Sequence, residues 1–214
     1  MRPRPILGAT TPRKRNSARA CRAKNRKGEK MNAAFATPGE ILAFWFEELQ
    51  PLQWWAKSPQ VDRQISDRFA ALHAAATRCE LYAWRTHGDG RLAEIIVLDQ
   101  FSRNIHRGRA AAFAADGMAL ALAQEAVSLG VDDSLPIERR AFLYLPYMHS
   151  ESAAIHAIAV RLFSAPGLAD HLAFELRHQT IIERFGRYPH RNATLGRPST
   201  PEEMAFLQMP GSSF

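Results

Sequence analysis

Four short segments carry Arg, His and carboxylates at places where a helix would otherwise bury apolar side chains. The richest is Arg184-Phe185-Gly186-Arg187-Tyr188-Pro189-His190-Arg191-Asn192, followed by Leu195-Gly196-Arg197. Arginine presents a planar fork that matches carboxylate and phosphate, and histidine adds a donor that gains charge near neutral pH. Such a turn, opened by a glycine that tolerates unusual backbone angles, suits an anion pocket. Its plain alternative is a set of cations that complement a helix C-terminus and pair with acids such as Asp99 or Glu151. Arg184, Arg187, His190, Arg191, Asn192 and Arg197 are the candidate ligand-binding groups here.

The second segment is Leu98-Asp99-Gln100-Phe101-Ser102-Arg103-Asn104. On one helical stripe, Leu92, Ile95, Ile96, Asp99 and Arg103 extend an apolar face with an i,i+4 carboxylate and guanidinium. Asp99, Arg103 and Asn104 are taken as site residues; a structural pair at the edge of the core is the alternative. The third segment, His149-Ser150-Glu151, invites a triad reading that adjacency alone cannot support, and no G-x-S-x-G elbow accompanies it. Ser150 reads better as the N-cap of the next helix, with Glu151 in its first turn. His149, Glu151 and His190 are the candidate proton carriers.

In the fourth segment, Glu175 and His178 form a single E-x-x-H pair, whereas carboxylate-bridged bundles use two such pairs and further glutamates. His178 is therefore read as a groove residue. No metal is assigned, although His149, Glu151, His178 and His190 are the side chains to test for one. No cofactor is identifiable.

The elements that must position these groups are helices. Thr37-Pro38-Gly39-Glu40 and Thr200-Pro201-Glu202-Glu203 are capping boxes, each with Pro at the first helical position. Between them, periodicity predicts helices near 61–78, 79–87, 91–104, 110–129, 136–148, 151–164 and 167–185. Gly130 is expected to end one helix, Gly88-Asp89-Gly90 to break the chain, and Pro146 to end or kink its helix near Tyr144-Leu145. No window alternates with period two, so the fold class is all-α, and short connections favour antiparallel hairpins.

Composition sets outer bounds. Of the 214 residues, 46% are hydrophobic and 23% charged, as in an ordinary globular protein. No uninterrupted apolar run reaches membrane-spanning length, so no span is expected. The two cysteines, Cys21 and Cys79, lack metal-type spacing and point to a reducing, cytoplasmic setting. The net charge of +7 lies in the first 30 residues, which hold eleven Arg or Lys and one acid, Glu29. Residues 1–31 are read as a basic disordered tail, 32–208 as a single helical domain and 209–214 as a C-terminal tail. A nucleic-acid-binding arm and a transit peptide both compete for the tail. The favoured reading is an upstream start, because Met31 opens MNAAFATPGEILAFWF like a natural beginning.

The order ILAFWF, Trp54-Trp55, LDQFSRN, HSE, RFGRYPHRN, LGR and the terminal STPEE with FL resembles the bacterial family catalogued as domain of unknown function 924. The resemblance covers about residues 38–208; Ser102 departs from the proline of the LDQFPRN form, a change expected to matter little. It implies a tetratricopeptide-like superhelix of packed helical hairpins and no assigned activity. The leading expectation is a pocket for a small anionic molecule, lined by Arg103, Arg184, Arg187, His190 and Arg191, with Asp99 and Glu151 orienting the cations. Its rival is an interaction scaffold that holds an acidic peptide or partner. A third reading makes the motifs structural. A nucleic-acid role rests on the tail alone, and the oligomeric state is undetermined.

Overall fold

The capping boxes at the two ends of the domain form as their sequences require. In the computed structural model, which describes residues 35–212, Glu40 N donates to Thr37 Oγ1 at 3.3 Å and Thr37 N donates to Glu40 Oε2 at 2.7 Å. This launches α1 (Pro38–Ala43), which widens into a π-helical turn over Phe44–Glu48. The second box, Thr200 with Glu203, launches α11 (Pro201–Leu207). The chain divides into units 1–36 and 37–214, and all the helices named here belong to the second. The expectations for the basic tail and Cys21 lie outside the described residues.

Between the two boxes run α2 (Pro51–Trp55), α3 (Pro59–Thr77), α4 (Gly88–Ile96), α5 (Ser102–Ile105), α6 (Asp116–Ser128), α7 (Val131–Ser134), α8 (Ile137–Met148), α9 (Ala153–Phe163) and α10 (Ala169–Phe185). Every regular element among the described residues is helical. A second π-helical turn, Val97–Phe101, joins α4 to α5 in one rod. That rod is the centre of the domain. Leu92 through Ser102 are all buried, so the rod is covered on every side rather than along one stripe. Helices α1, α6 and α8 pack on α4, α3 packs on α5, and α9 and α10 add successively to α8. Phe44, Phe69 and Phe101 pack ring to ring at 5.0 to 6.0 Å where α1, α3 and the rod meet.

Several local expectations give way, each for an identifiable reason. Residues 79–87 are not a helix: Cys79 adopts φ 59° and turns the chain, leaving a 3-10 turn at Tyr82–Thr86. The Gly88-Asp89-Gly90 cluster opens α4 instead of breaking it. Gly90 is required for close approach, because a Cβ there would lie 2.0 Å from the Trp84 carbonyl oxygen. The helix predicted over 110–129 splits into a 3-10 turn (Ala110–Phe113) and α6. The Ala112 carbonyl, which a continuous helix would offer to Asp116 N–H, is taken by the Arg103 guanidinium instead.

Helix α8 runs through Pro146 to Met148, since a proline so near the C-terminus forfeits one hydrogen bond and its neighbours Ala141–Met148 are all buried. The N-cap of α9 is Ser152, not Ser150. By length and composition alone, Ala110–Ser128 could cross a bilayer, contrary to the sequence expectation. It is two pieces, however, and α6, at 13 residues, reaches only about 20 Å of the roughly 30 Å required.

Candidate functional site

Asp116, the first residue of α6, is the hub on which two guanidiniums converge. Arg103, from α5, lies 2.9 Å from Asp116 Oδ2 through Nη2 and 2.8 Å from Oδ1 through Nη1. Arg191, from a 3-10 turn at Pro189–Arg191, donates to Asp116 Oδ2 at 3.2 Å. The Phe113 ring carries both cations, at 4.8 Å for Arg103 and 4.7 Å for Arg191, and Tyr188 supports Arg191 at 4.5 Å. Their charges are unequally compensated. Burial opposes the Arg103 charge, but Asp99 and Asp116 outweigh it and raise its pKa. Burial and the neighbouring Arg103 both work against Arg191 and lower its pKa. Arg191 is only 7% exposed, and its Nε has no hydrogen-bond partner among the described residues.

The second π-helical turn sets Asp99 behind His149. Asp99 Oδ1 accepts from His149 Nδ1 at 2.7 Å, and Oδ2 accepts from Gln100 Nε2 at 2.5 Å. Arg103 stands 3.7 Å from the same carboxylate. Burial would raise the Asp99 pKa, but His149, then Arg103 and the Gln100 hydrogen bond, overcome it and bring the pKa to about 2. An ionised carboxylate accepts only, so His149 Nδ1 is the donor and Nε2 is left as its second ring nitrogen. His149 begins the connection between α8 and α9, and the buried Pro146 turn fixes where it emerges.

A cavity of about 510 Å³ opens beside these groups, with Asp116, His149, Ser150, Glu151 and Arg191 forming its polar lining. Glu151 is not in a helix. It accepts from Tyr188 N at 2.8 Å and from both Nη atoms of Arg197 at 2.6 and 2.9 Å. Arg197 Nε also donates to Asn192 Oδ1 at 3.0 Å, so Glu151, Arg197 and Asn192 tie the 188–197 segment to the end of α8. His190 packs on Tyr188, with ring centroids 5.5 Å apart, and burial, followed by Arg191, lowers its pKa to about 4.

Thus Asp99, Arg103, His149, Glu151, Arg191, Asn192 and Arg197, drawn from three of the four segments, meet through direct contacts or the shared lining. Of these, His149, Glu151 and Arg191 line the cavity, while Arg103, expected in the lining, stands behind Asp116; the five other candidates, Asn104, His178, Arg184, Arg187 and His190, do not line it. Asn104 donates to Asp62 at 2.9 Å beside Arg107. Arg184 pairs with exposed Glu202. Arg187 grips Glu203 with two hydrogen bonds, 2.6 and 2.8 Å, and reaches the Pro198 carbonyl. His178 contacts the Phe174 carbonyl and the Tyr188 ring, with its pKa lowered by burial to about 3.

Sequence reasoning missed Asp116, whose only signal is a lone acid amid FAADGMALALA, and it missed His156. His156, fully buried, takes Glu175 as its partner at 2.6 Å, so the E-x-x-H glutamate does not serve His178. Among the described residues no group of three or more His, Cys, Asp or Glu side chains is arranged to hold a metal. Ser102 proves more than a neutral change. It is fully buried, donates to the Leu98 carbonyl at 2.5 Å, and meets His73 Nε2 at 2.8 Å.

Residues 41–211 match the family described as bacterial protein of unknown function (DUF924). A solved structure of a protein of unknown function from Agrobacterium tumefaciens is similar, with a TM-score of 0.76 and 38% identity. The match covers 80% of this chain and 96% of that one. No match is found among the curated proteins.

Proposed function

The chain belongs to the DUF924 family of bacterial proteins of unknown function, and we propose that it binds a small anion, a carboxylate or a phosphate, in the cavity at Arg191. The observation that carries this reading is the sharing of one carboxylate, Asp116, by two largely buried guanidiniums. Buried charge is costly unless matched, and Arg191, which lines the cavity, has a buried Nε with no hydrogen-bond partner among the described residues. Arg103 has Asp99 as a second partner, 3.7 Å away, so Arg191 is the less compensated of the two, and a bound anion would complete its contacts. His149, held in one tautomer by Asp99, stands in the same lining as a proton donor or acceptor. The successive packing of α8, α9 and α10 supports a tetratricopeptide-like stack of hairpins as the frame. The exposed, unpaired Cys79 fits a cytoplasmic setting.

Isothermal titration of the protein with acetate and with inorganic phosphate tests the reading. At least one of them is expected to bind, and Arg191→Gln should weaken that binding more than tenfold. Arg187→Ala, which breaks the Glu203 pair outside the cavity, should lower the melting temperature and leave binding intact. Binding that survives Arg191→Gln, or no binding of either anion, defeats the proposal.

A further inference from the structure

Resting on that reading, we infer that the ligand is a monoanionic carboxylate with an apolar body, not an inorganic or sugar phosphate. The first ground is charge. Arg103 faces two carboxylates, Asp99 and Asp116, Arg191 has only the shared Asp116 as its ion-pair partner, and Glu151 is already matched by Arg197. Asp99 lies behind this pair, with His149 and Arg103 as its partners. The cavity therefore offers one under-compensated guanidinium with Asp116 and Glu151 close by. A single negative charge satisfies it. A dianion would place excess negative charge against those two carboxylates in a partly desolvated space.

The second ground is the apolar part of the lining. Ala110, Phe113, Ala114, Leu120, Pro146 and Leu195 line the cavity without offering a side-chain hydrogen bond. A phosphate or a hydroxylated sugar needs donors on all sides, whereas a hydrocarbon body loses nothing against such a wall. The volume, about 510 Å³, lies within the range of small-molecule pockets and far exceeds what a carboxylate group alone requires. Arg191 is built for the head group: its fork rests between the Phe113 and Tyr188 rings, which fix its plane. The head group is thus held at the Asp116 end, and the body runs along the face of α6.

Gly117 allows the free space beside α6 to be tested. It lines the cavity on α6, and a Cβ built there meets nothing within 4 Å. Gly117→Leu therefore fills the apolar side without a backbone clash, and a helical Gly replaced by Leu should not lower the melting temperature. The experiment is calorimetric titration of the full chain with acetate, butyrate, hexanoate, octanoate and inorganic phosphate. Each buried methylene contributes about 0.8 kcal/mol, so affinity should rise roughly fourfold per added CH₂ until the wall is used up. Phosphate should bind more weakly than butyrate. In Gly117→Leu the dependence on chain length should collapse, and in Arg191→Gln every carboxylate should weaken. If phosphate binds more tightly than any carboxylate, or affinity is flat from acetate to octanoate, this inference is overturned while the anion site stands. If none of the five anions binds, both fail together. An apolar slope that persists in Gly117→Leu refutes the assignment of the wall.

Discussion

Arg187 and Arg191 leave one turn four residues apart, yet they belong to different kinds of structure. Arg187 meets Glu203 with two aligned hydrogen bonds, and Glu203 also accepts from Asn192 and from Thr200 N at the head of α11. Arg187 and these contacts bring the Glu203 pKa to about 2 against the effect of burial. Charge there is matched one to one, and the helix cap and the ion pair share a carboxylate. Arg191 shares Asp116 with Arg103 and keeps Nε unbonded. Residue type does not distinguish the two positions. On the proposed reading, what separates a structural arginine from a binding one is whether it shares its carboxylate with a second cation and whether a cavity lies beside it.

The sharpest way to break that comparison is to remove the shared countercharge. Asp116→Asn leaves Arg103 and Arg191 without their common carboxylate, so it should destabilise the domain by about 3–5 kcal/mol, the usual cost of an uncompensated buried charge. Urea unfolding measures this, and the double variant Asp116→Asn with Arg191→Gln should recover part of the loss. A small effect for the single variant would mean that the guanidiniums are adequately solvated, and Arg191 would then resemble Arg187 after all.

A smaller effect separates the two regions from the core behind them. The Asp99 pKa falls from 3.8 to about 2 on folding. A carboxylate with a depressed folded pKa contributes stability above its unfolded value and loses it as pH drops through the folded one. Asp99 should therefore contribute roughly 2 kcal/mol near neutral pH, lost between about pH 4 and pH 2. Urea midpoints taken from pH 6 to pH 2 should fall over that window, and Asp99→Asn should flatten part of the fall. Glu203, with its pKa also at about 2, contributes to the remainder, together with acids such as Asp62 and Glu151 that arginine partners hold below their ordinary values. An unchanged acid limb in Asp99→Asn would show that His149 and Arg103 do not hold the carboxylate ionised.

How much of this was legible in the sequence follows from the range of each interaction. The capping boxes are local, with donor and acceptor three residues apart, and both form as read. The all-helical class was legible from the periodicity, and the boundaries failed where a distant group intervened. Arg103 claims the Ala112 carbonyl and splits a helix, and the Trp84 carbonyl dictates a glycine at position 90. The polar segments were visible as interruptions of apolar stripes, but their pairing was not. Nothing near Asp116 in the chain announces Arg191, 75 residues away, or signals that Glu203 of the second box would neutralise Arg187. The site depends on those long-range choices, so the sequence could supply its arginines without sorting them.

Arg184 gives the finest test of the sorting rule, because it stands in the last turn of α10, just ahead of the same segment, and has a carboxylate of its own. It bonds Glu202 Oε1 at 2.8 and 3.0 Å, with side chains 46% and 64% exposed. It also lies 4.7 Å over the Phe185 ring. Exposed pairs of this kind contribute about 0.2–1 kcal/mol, since water screens the attraction and ordering two long side chains costs entropy. Arg184→Ala should therefore shift the urea midpoint far less than Arg187→Ala and leave anion titrations unaltered, and 0.5 M salt should erase most of its effect. The Glu203 carboxylate is 2% exposed, so its pair with Arg187 should survive the same salt. Equal losses from Arg184→Ala and Arg187→Ala would show that burial of the acidic partner does not grade the turn, and the ordering of all three arginines would have to rest on something else.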